Sequence, residues 1–193
     1  MDPKIFKQQL LDQLYAPYKK CIECPLGGLG RKNVVFGEGN PDASLMFIGE
    51  APGQEEDEQG RPFVGRSGRL LTQTLTSLGI NRPDVFITNI VKCRPPNNRK
   101  PFPEEMAACK KLLLIHQIKI IRPRVICTLG AAAVEGLFER MVKITHIRGT
   151  ILEYLESHVV PAYHPAYVLR NPAVFDIFKK DIQKAYFLSL KNQ

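Results

Sequence analysis

Three groups of residues in this 193-residue chain have types and spacings that can do chemistry. The first is a turn, Gly49-Glu50-Ala51-Pro52-Gly53-Gln54-Glu55-Glu56-Asp57, followed by Gly60-Arg61-Pro62-Phe63-Val64-Gly65-Arg66. Glycines let backbone N–H groups approach a ligand closely, because no Cβ holds it off. The second is four cysteines, Cys21, Cys24, Cys93 and Cys109, the first two in a CxxC turn. A CxxC pair brings two thiolates to one metal centre, and distant cysteines complete the coordination sphere. Spacing alone leaves zinc and an iron–sulfur cluster both open. Cys127 is different, since it sits inside an apolar run where a thiol packs as a small hydrophobe, and it is not expected to be a ligand. The third group is Asn89 and His164, each at the end of an apolar run.

The elements that must position these residues follow from the hydrophobic pattern. Leu45–Ile48 reads as a buried strand whose carboxyl end is the acidic turn, the place where α/β sheets hold their functional loops. Asp84–Val91 is a second strand and carries Asn89 and then Cys93 to its end. Val125–Leu129 is a third, and His158–Ala162 a fourth, running into Tyr163-His164-Pro165. Thr150–Leu152 reads as a strand leading to a turn, and Val34–Phe36 as an edge strand or an anchored loop. Helices are expected over residues 4–20, Ser67–Leu78 with Gly79 as its C′ residue, Glu104–Ile121 stopped by Pro123, and Gly130–Phe138. Asn171-Pro172 is an N-cap with proline at the first helical position, opening a final helix to about Leu190. Prolines at 95, 96, 101 and 103 make Arg94–Pro103 a loop. The order predicts a three-layer α/β/α fold around a mostly parallel four-stranded sheet, formed by one domain over residues 1–193.

Composition sets the class. An apolar share of 44% with 24% charged residues fits a globular domain with a substantial core. No apolar run approaches the roughly 20 residues that span a bilayer, and Met1-Asp2-Pro3-Lys4 lacks a secretory h-region, so the chain reads as cytoplasmic with no membrane partner. A net charge of +8 favours a polyanion, because basic surfaces release the counterions condensed on nucleic acid.

With these motifs in hand, the chain resembles the family 4 uracil-DNA glycosylases, iron–sulfur enzymes of bacteria and archaea, over essentially its whole length. The ordered set carries the resemblance: Gly49–Gly53 as GEAPG, Pro62–Gly65 as PFVG, a strand ending in Asn89 shortly before Cys93, and His164–Tyr167 as HPAY. It implies a [4Fe–4S] cluster on Cys21, Cys24, Cys93 and Cys109. It implies a uracil pocket of Gly49, Glu50, Ala51, Phe63, Asn89 and His164, with His164, Asn89 and Glu50 as catalytic residues. Phe63 would stack on a base flipped from DNA and Asn89 would read its polar edge. His164, helped by backbone N–H groups of Gly49–Ala51, would stabilise negative charge on the departing uracil. Tyr167, Leu169 and Arg170 would form a DNA-binding loop that fills the space left by the flipped nucleotide. Arg94, Arg99 and Lys100 would make a second phosphate-contacting surface.

The implied partner is uracil-containing DNA, single- or double-stranded, acted on by a monomer alongside base excision repair or replication proteins. One departure stands out. The best-known uracil-DNA glycosylases have GQDPY in the first motif, and here Ala51 replaces its aspartate and Gly53 its tyrosine, which leaves Glu50, Glu56 and Asp57 as the nearby carboxylates. Glu56 and Asp57 also read as a solvated acidic face. A competing reading is a non-catalytic nucleic-acid binder with a zinc Cys₄ site, which gives Phe63, Asn89 and His164 no purpose. Neither GxGxxG after a strand, GxxxxGK[ST] nor GxSxG is present.

Overall fold

The computed structural model describes residues 2–190; the expected domain span extends past them at both ends, to Met1 and to residues 191–193. In chain order the elements are α1 (Pro3–Tyr15), β1 (Glu38–Gly39), β2 (Leu45–Gly49), α2 (Gln54–Gln59), α3 (Arg66–Ser77), β3 (Phe86–Asn89), α4 (Pro103–Cys109), α5 (Ile115–Ile121), β4 (Val125–Leu129), α6 (Ala131–Phe138), α7 (Ile144–Ile147), β5 (Leu152–Tyr154), β6 (Ser157–Ala162), α8 (Pro165–Arg170) and α9 (Phe175–Leu190). The described strands form one sheet in the order β1-β3-β2-β4-β6-β5. The four expected strands are its parallel centre, and β1 and β5 add antiparallel edges, so the sheet has six strands rather than four. The β1 edge is two residues long, below the length at which alternation is readable, and β5 lies two residues further along than the strand expected over Thr150–Leu152.

Alternation along the central strands splits the core into two layers, as a sheet covered on both faces requires. Met46, Ile48, Phe86 and Ile126 pack with Leu11 of α1, Ile118 of α5 and Leu137 of α6. Leu45, Phe47, Ile87 and Cys127 pack with Leu71 and Leu75 of α3 and Phe178 and Ile182 of α9. The chain leaves β2 sideways to β3 and returns past it to β4, which puts the carboxyl end of β2 at the switch point where such sheets open a crevice.

Three local expectations change. The expected helix over Glu104–Ile121 is one helical rod but widens to a π-helical turn over Lys110–Leu114, directly after Cys109. The acidic stretch after Gly53 is the helix α2 rather than a turn. His164–Arg170, read as a loop, is an N-cap followed by the short helix α8, and the final helix begins at Phe175 after a 3₁₀ turn. Among the described residues no helix is long and apolar enough to cross a membrane.

Candidate active site and cysteine cavity

Parallel pairing places Gly49 opposite Asn89, and the pairing runs on past both strands, with Ile90 N–H donating to Gly49 O (2.9 Å) and Val91 N–H to Glu50 O (3.2 Å). The turn and the strand end are therefore held side by side. They open onto a cleft of about 840 Å³ whose lining includes Glu50, Ala51, Phe63, Asn89, His164 and Arg170.

The closeness of this packing explains Gly49. A Cβ there would stand 2.4 Å from Asn89 Oδ1 and 2.4 Å from Phe63 Cζ, so any side chain would push the amide and the ring out of place. Phe63 itself has φ 51°, a left-handed backbone that costs a bulky residue roughly 1–3 kcal/mol. Its carbonyl lies where a Cβ on Gly68 would be, 1.9 Å away, so the first turn of α3 must be bare for Phe63 to hold this shape. Arg82 secures the loop from below, donating to Pro62 O (2.6 Å) and pairing with Glu38 (3.0 Å).

Asn89 is 1% exposed, and its Oδ1 is buried with no hydrogen-bond partner. An unpaired buried acceptor costs about 1–3 kcal/mol, and such an atom at a cleft wall marks a place where a ligand donor completes the set. His164 lies across from Phe63, ring centroids 6.0 Å apart. It caps α8: Nδ1 accepts from Ala166 N–H at 3.1 Å. That bond makes Nδ1 the acceptor, so the neutral ring carries its proton on Nε2. Burial, and then the nearby Arg170 charge, bring its pKa down to about 4, so the imidazole is neutral near pH 7. The Glu50 carboxyl is raised above the ordinary carboxylate range by burial, a shift Lys100 opposes and Glu135 adds to.

The other two carboxylates of the motif are not a solvated face. Glu56 Oε1 accepts from Val64 N–H (2.9 Å) and Gly65 N–H (2.7 Å), while Oε2 accepts from Gly53 N–H (3.1 Å). One carboxylate thus ties both arms of the cleft together. Its place three residues after Gly53 is the sequence signal, because a Glu at that position reaches back to the cap N–H. Asp57 is buried and accepts from Lys32 N–H and Asn33 N–H, pinning the segment that follows the CxxC turn. Nothing near Asp57 in the sequence announces those donors.

Of the expected DNA-facing residues, Arg170 lines the cleft, while Tyr167 and Leu169 stand exposed on α8 beyond its lining. In the second basic surface Arg99 also lines the cleft, and all three side chains have partners within the chain. Arg99 forms a two-pronged pair with Glu105 (2.8 Å each) and stacks on Phe102, Lys100 pairs with Glu135, and Arg94 donates to Asn98.

Cys21, Cys24, Cys93 and Cys109 all line a second, small cavity, with Val34, Leu112, Leu113 and Lys92 among its other walls. Cys127 lies in the opposite layer of the core. Burial pushes the Cys93 thiol up to about 12 and the Cys109 thiol up to about 11. Among the described residues no three His, Cys, Asp or Glu side chains are grouped closely enough to hold a single metal ion.

The whole chain also has close relatives. A family profile described as the uracil DNA glycosylase superfamily matches residues 36–189. A type-4 uracil-DNA glycosylase of Thermotoga maritima is 50% identical over 183 residues, covering 93% of this chain and 94% of the relative. One from Pyrobaculum aerophilum is 47% identical over 180 residues, 89% of this chain and 91% of the relative. A type-5 uracil-DNA glycosylase of Thermus thermophilus is more distant, 33% identical over 133 residues and covering 56% of this chain. On this match the chain belongs to the uracil DNA glycosylase superfamily, in its type-4 branch.

Proposed function

We propose that this protein is a monomeric, single-domain uracil-DNA glycosylase that hydrolyses the N-glycosidic bond of deoxyuridine in DNA, releasing uracil and leaving an abasic site for base excision repair. The observation that carries the reading is the unpaired amide oxygen of Asn89, set in one cleft with the Phe63 ring and a neutral His164. Uracil offers what each lacks. Its N3–H satisfies Asn89 Oδ1, the Asn89 amide N–H₂ donates to O4, and the ring lies against Phe63. Cytosine has no N3–H, so it would leave Oδ1 orphaned, and the cost falls on the wrong base.

In the reaction the C1′–N1 bond breaks as a water oxygen bonds to C1′, and the electron pair leaves on uracil. His164 Nε2–H donates to O2 as negative charge grows there, assisted by backbone N–H groups of Gly49–Ala51. Being already neutral, the ring loses nothing by deprotonation in the physiological range. Glu50 is the cleft carboxylate not taken up by backbone or arginine donors, since Glu55 pairs with Arg69 and Glu56 holds three backbone N–H groups. It is our choice to orient the attacking water. Arg170 at the cleft rim meets backbone phosphate, and Tyr167 and Leu169, exposed on α8, rest against the opened duplex.

The cysteine cavity fits a [4Fe–4S] cluster. Cys21, Cys24, Cys93 and Cys109 all line one small, mostly apolar space, so four thiolates are available to one buried group, and the type-4 relatives and the order of the motifs favour the cluster over zinc. Once bound, the group supplies the positive charge that lets buried thiols ionise and cross-links α4, the end of β3 and the CxxC turn. The test is incubation with uracil-containing and thymine-containing oligonucleotides, followed by alkaline cleavage at abasic sites. Cleavage confined to the uracil strand supports the enzyme; no uracil release at any salt concentration overturns it. Brown protein with bound iron and sulfide supports the cluster, and colourless protein with stoichiometric zinc overturns it.

A further inference from the structure

Between the cysteine cavity and the base-reading amide stands Lys92, which neither role uses. Its side chain is wholly buried, a setting lysine almost never occupies without a counter-charge. Its Nζ donates to Thr88 Oγ1 at 2.5 Å and to the backbone O of Asn89 at 2.7 Å. An ammonium has three donors, so one is left over on a residue that lines the cysteine cavity. The Lys92 backbone is tied to the same place, since its O accepts from Val35 N–H (2.7 Å), beside Val34 of the cavity wall. Among the described residues Lys92 makes no ion pair with a carboxylate.

The missing counter-charge is supplied by the cavity. Four thiolates around a core of 2+ sum to about −2 by counting, and two cations stand beside them. Lys92 is one. The other is Arg31, whose guanidinium donates to Cys21 O, lies near enough to Cys93 to act on its thiol, and keeps its Nε buried without a partner.

We propose that Lys92, with Arg31, is the internal counter-ion of the cluster, and that Lys92 is at the same time the positioning residue of Asn89. Charge at the cysteines holds the ammonium, and the ammonium holds the backbone that aims the Asn89 amide. The inference rests on the cluster and on Asn89 as the base reader. It implies that losing the cluster is felt at the cleft before the fold is lost.

The test uses purified holoprotein and three variants. Lys92→Met keeps the length and removes the charge, Arg31→Met removes the second cation, and Gln117→Met is a control at an equally buried polar site away from the cavity lining. Iron and sulfide per chain are followed over time in air, and single-turnover excision is measured across DNA concentrations on freshly purified protein. Lys92→Met should shorten the half-life of the bound iron by roughly tenfold and lower the saturating excision rate by about as much, with DNA affinity unchanged. Arg31→Met should shorten the half-life and leave the fresh excision rate alone. Gln117→Met should do neither. If Lys92→Met does not fold, Arg31→Met decides the counter-ion, and Thr88→Val, which removes one acceptor of the ammonium, decides the anchor by a lowered rate at normal iron content. Wild-type iron retention and rate in Lys92→Met, or losses matched by Gln117→Met, overturn the inference. Wild-type protein that excises uracil without iron shows instead that the cluster reading failed. Iron-loaded wild type that excises nothing shows that the enzyme reading failed, and iron retention still decides the counter-ion.

Discussion

The cleft and the cysteine cavity are both served by the carboxyl end of β3, Asn89 on one side and Cys93 four residues later on the other, yet they are built on opposite terms. The cleft is wide and polar. It holds an amide oxygen without a partner, an aromatic residue in a left-handed backbone and a carboxyl raised by burial. The cavity is small, walled by Val34, Leu112 and Leu113, and burial there pushes the Cys93 and Cys109 thiols up to about 12 and about 11. Each region is unstable toward a specific visitor. On the proposed reading the cleft releases what it binds and lacks a donor for Asn89 Oδ1, whereas the cavity keeps its occupant and lacks charge to balance its thiolates.

That contrast can be broken most sharply at His164. His164→Ala should lower single-turnover excision by about 10²–10³, as loss of one donor to a developing anion does, while DNA binding and bound iron stay unchanged. A wild-type rate would remove the ring from the chemistry.

Gly49→Ala comes next. Its Cβ would meet Asn89 Oδ1 and Phe63 Cζ at 2.4 Å, so excision should fall roughly 10–100-fold by misplacement alone. The overpacking should cost about 1–3 kcal/mol in denaturant unfolding, and normal iron content would show that the damage stops at the cleft.

The third prediction concerns acid. His164 titrates near 4 in the folded chain against an ordinary 6.5, so on acidification the unfolded chain takes up the proton first. The stability this contributes is complete above about pH 6.5 and is lost as pH falls toward 4, amounting to at most about 3.5 kcal/mol at ~1.4 kcal/mol per unit. His164→Gln should flatten that part of the stability profile, measured as urea midpoints across pH. An unchanged profile would mean that the ring is not held neutral by the fold.

The smallest effect tests the other region. Cys127→Ala should keep the iron and cost only about 1–2 kcal/mol, because Cys127 packs with Phe47 and Phe178 across the sheet from the cavity. Cys109→Ala should lose the iron. Colour that survives Cys109→Ala and disappears with Cys127→Ala would exchange their roles.

The sequence by itself determined the strong apolar strands, a mostly parallel sheet and the separation of Cys127 from the other cysteines, and its short motifs singled out Phe63, Asn89 and His164, which the fold brings to one cleft. These are legible because strand burial and short motifs are written within a few neighbouring residues. Tertiary structure decided how those residues are held. Glu56 and Asp57 follow a glycine in a run of acids and read locally as solvent-facing. Their partners come from Val64 and Gly65, eight and nine residues away, and from Lys32 and Asn33, 25 and 24 residues away, and no local pattern encodes such pairings. The same holds for Lys92, an ordinary lysine between Val91 and Cys93 until folding buries it between Thr88, Asn89 and the cysteines. Short elements escaped for a related reason. With two residues, β1 exists only because β3 offers an edge to pair with, and α8 forms because the His164 ring accepts the Ala166 N–H while Val168 is buried against the core; the strand expected over Thr150–Leu152 forms two residues later as β5, where β6 offers an edge.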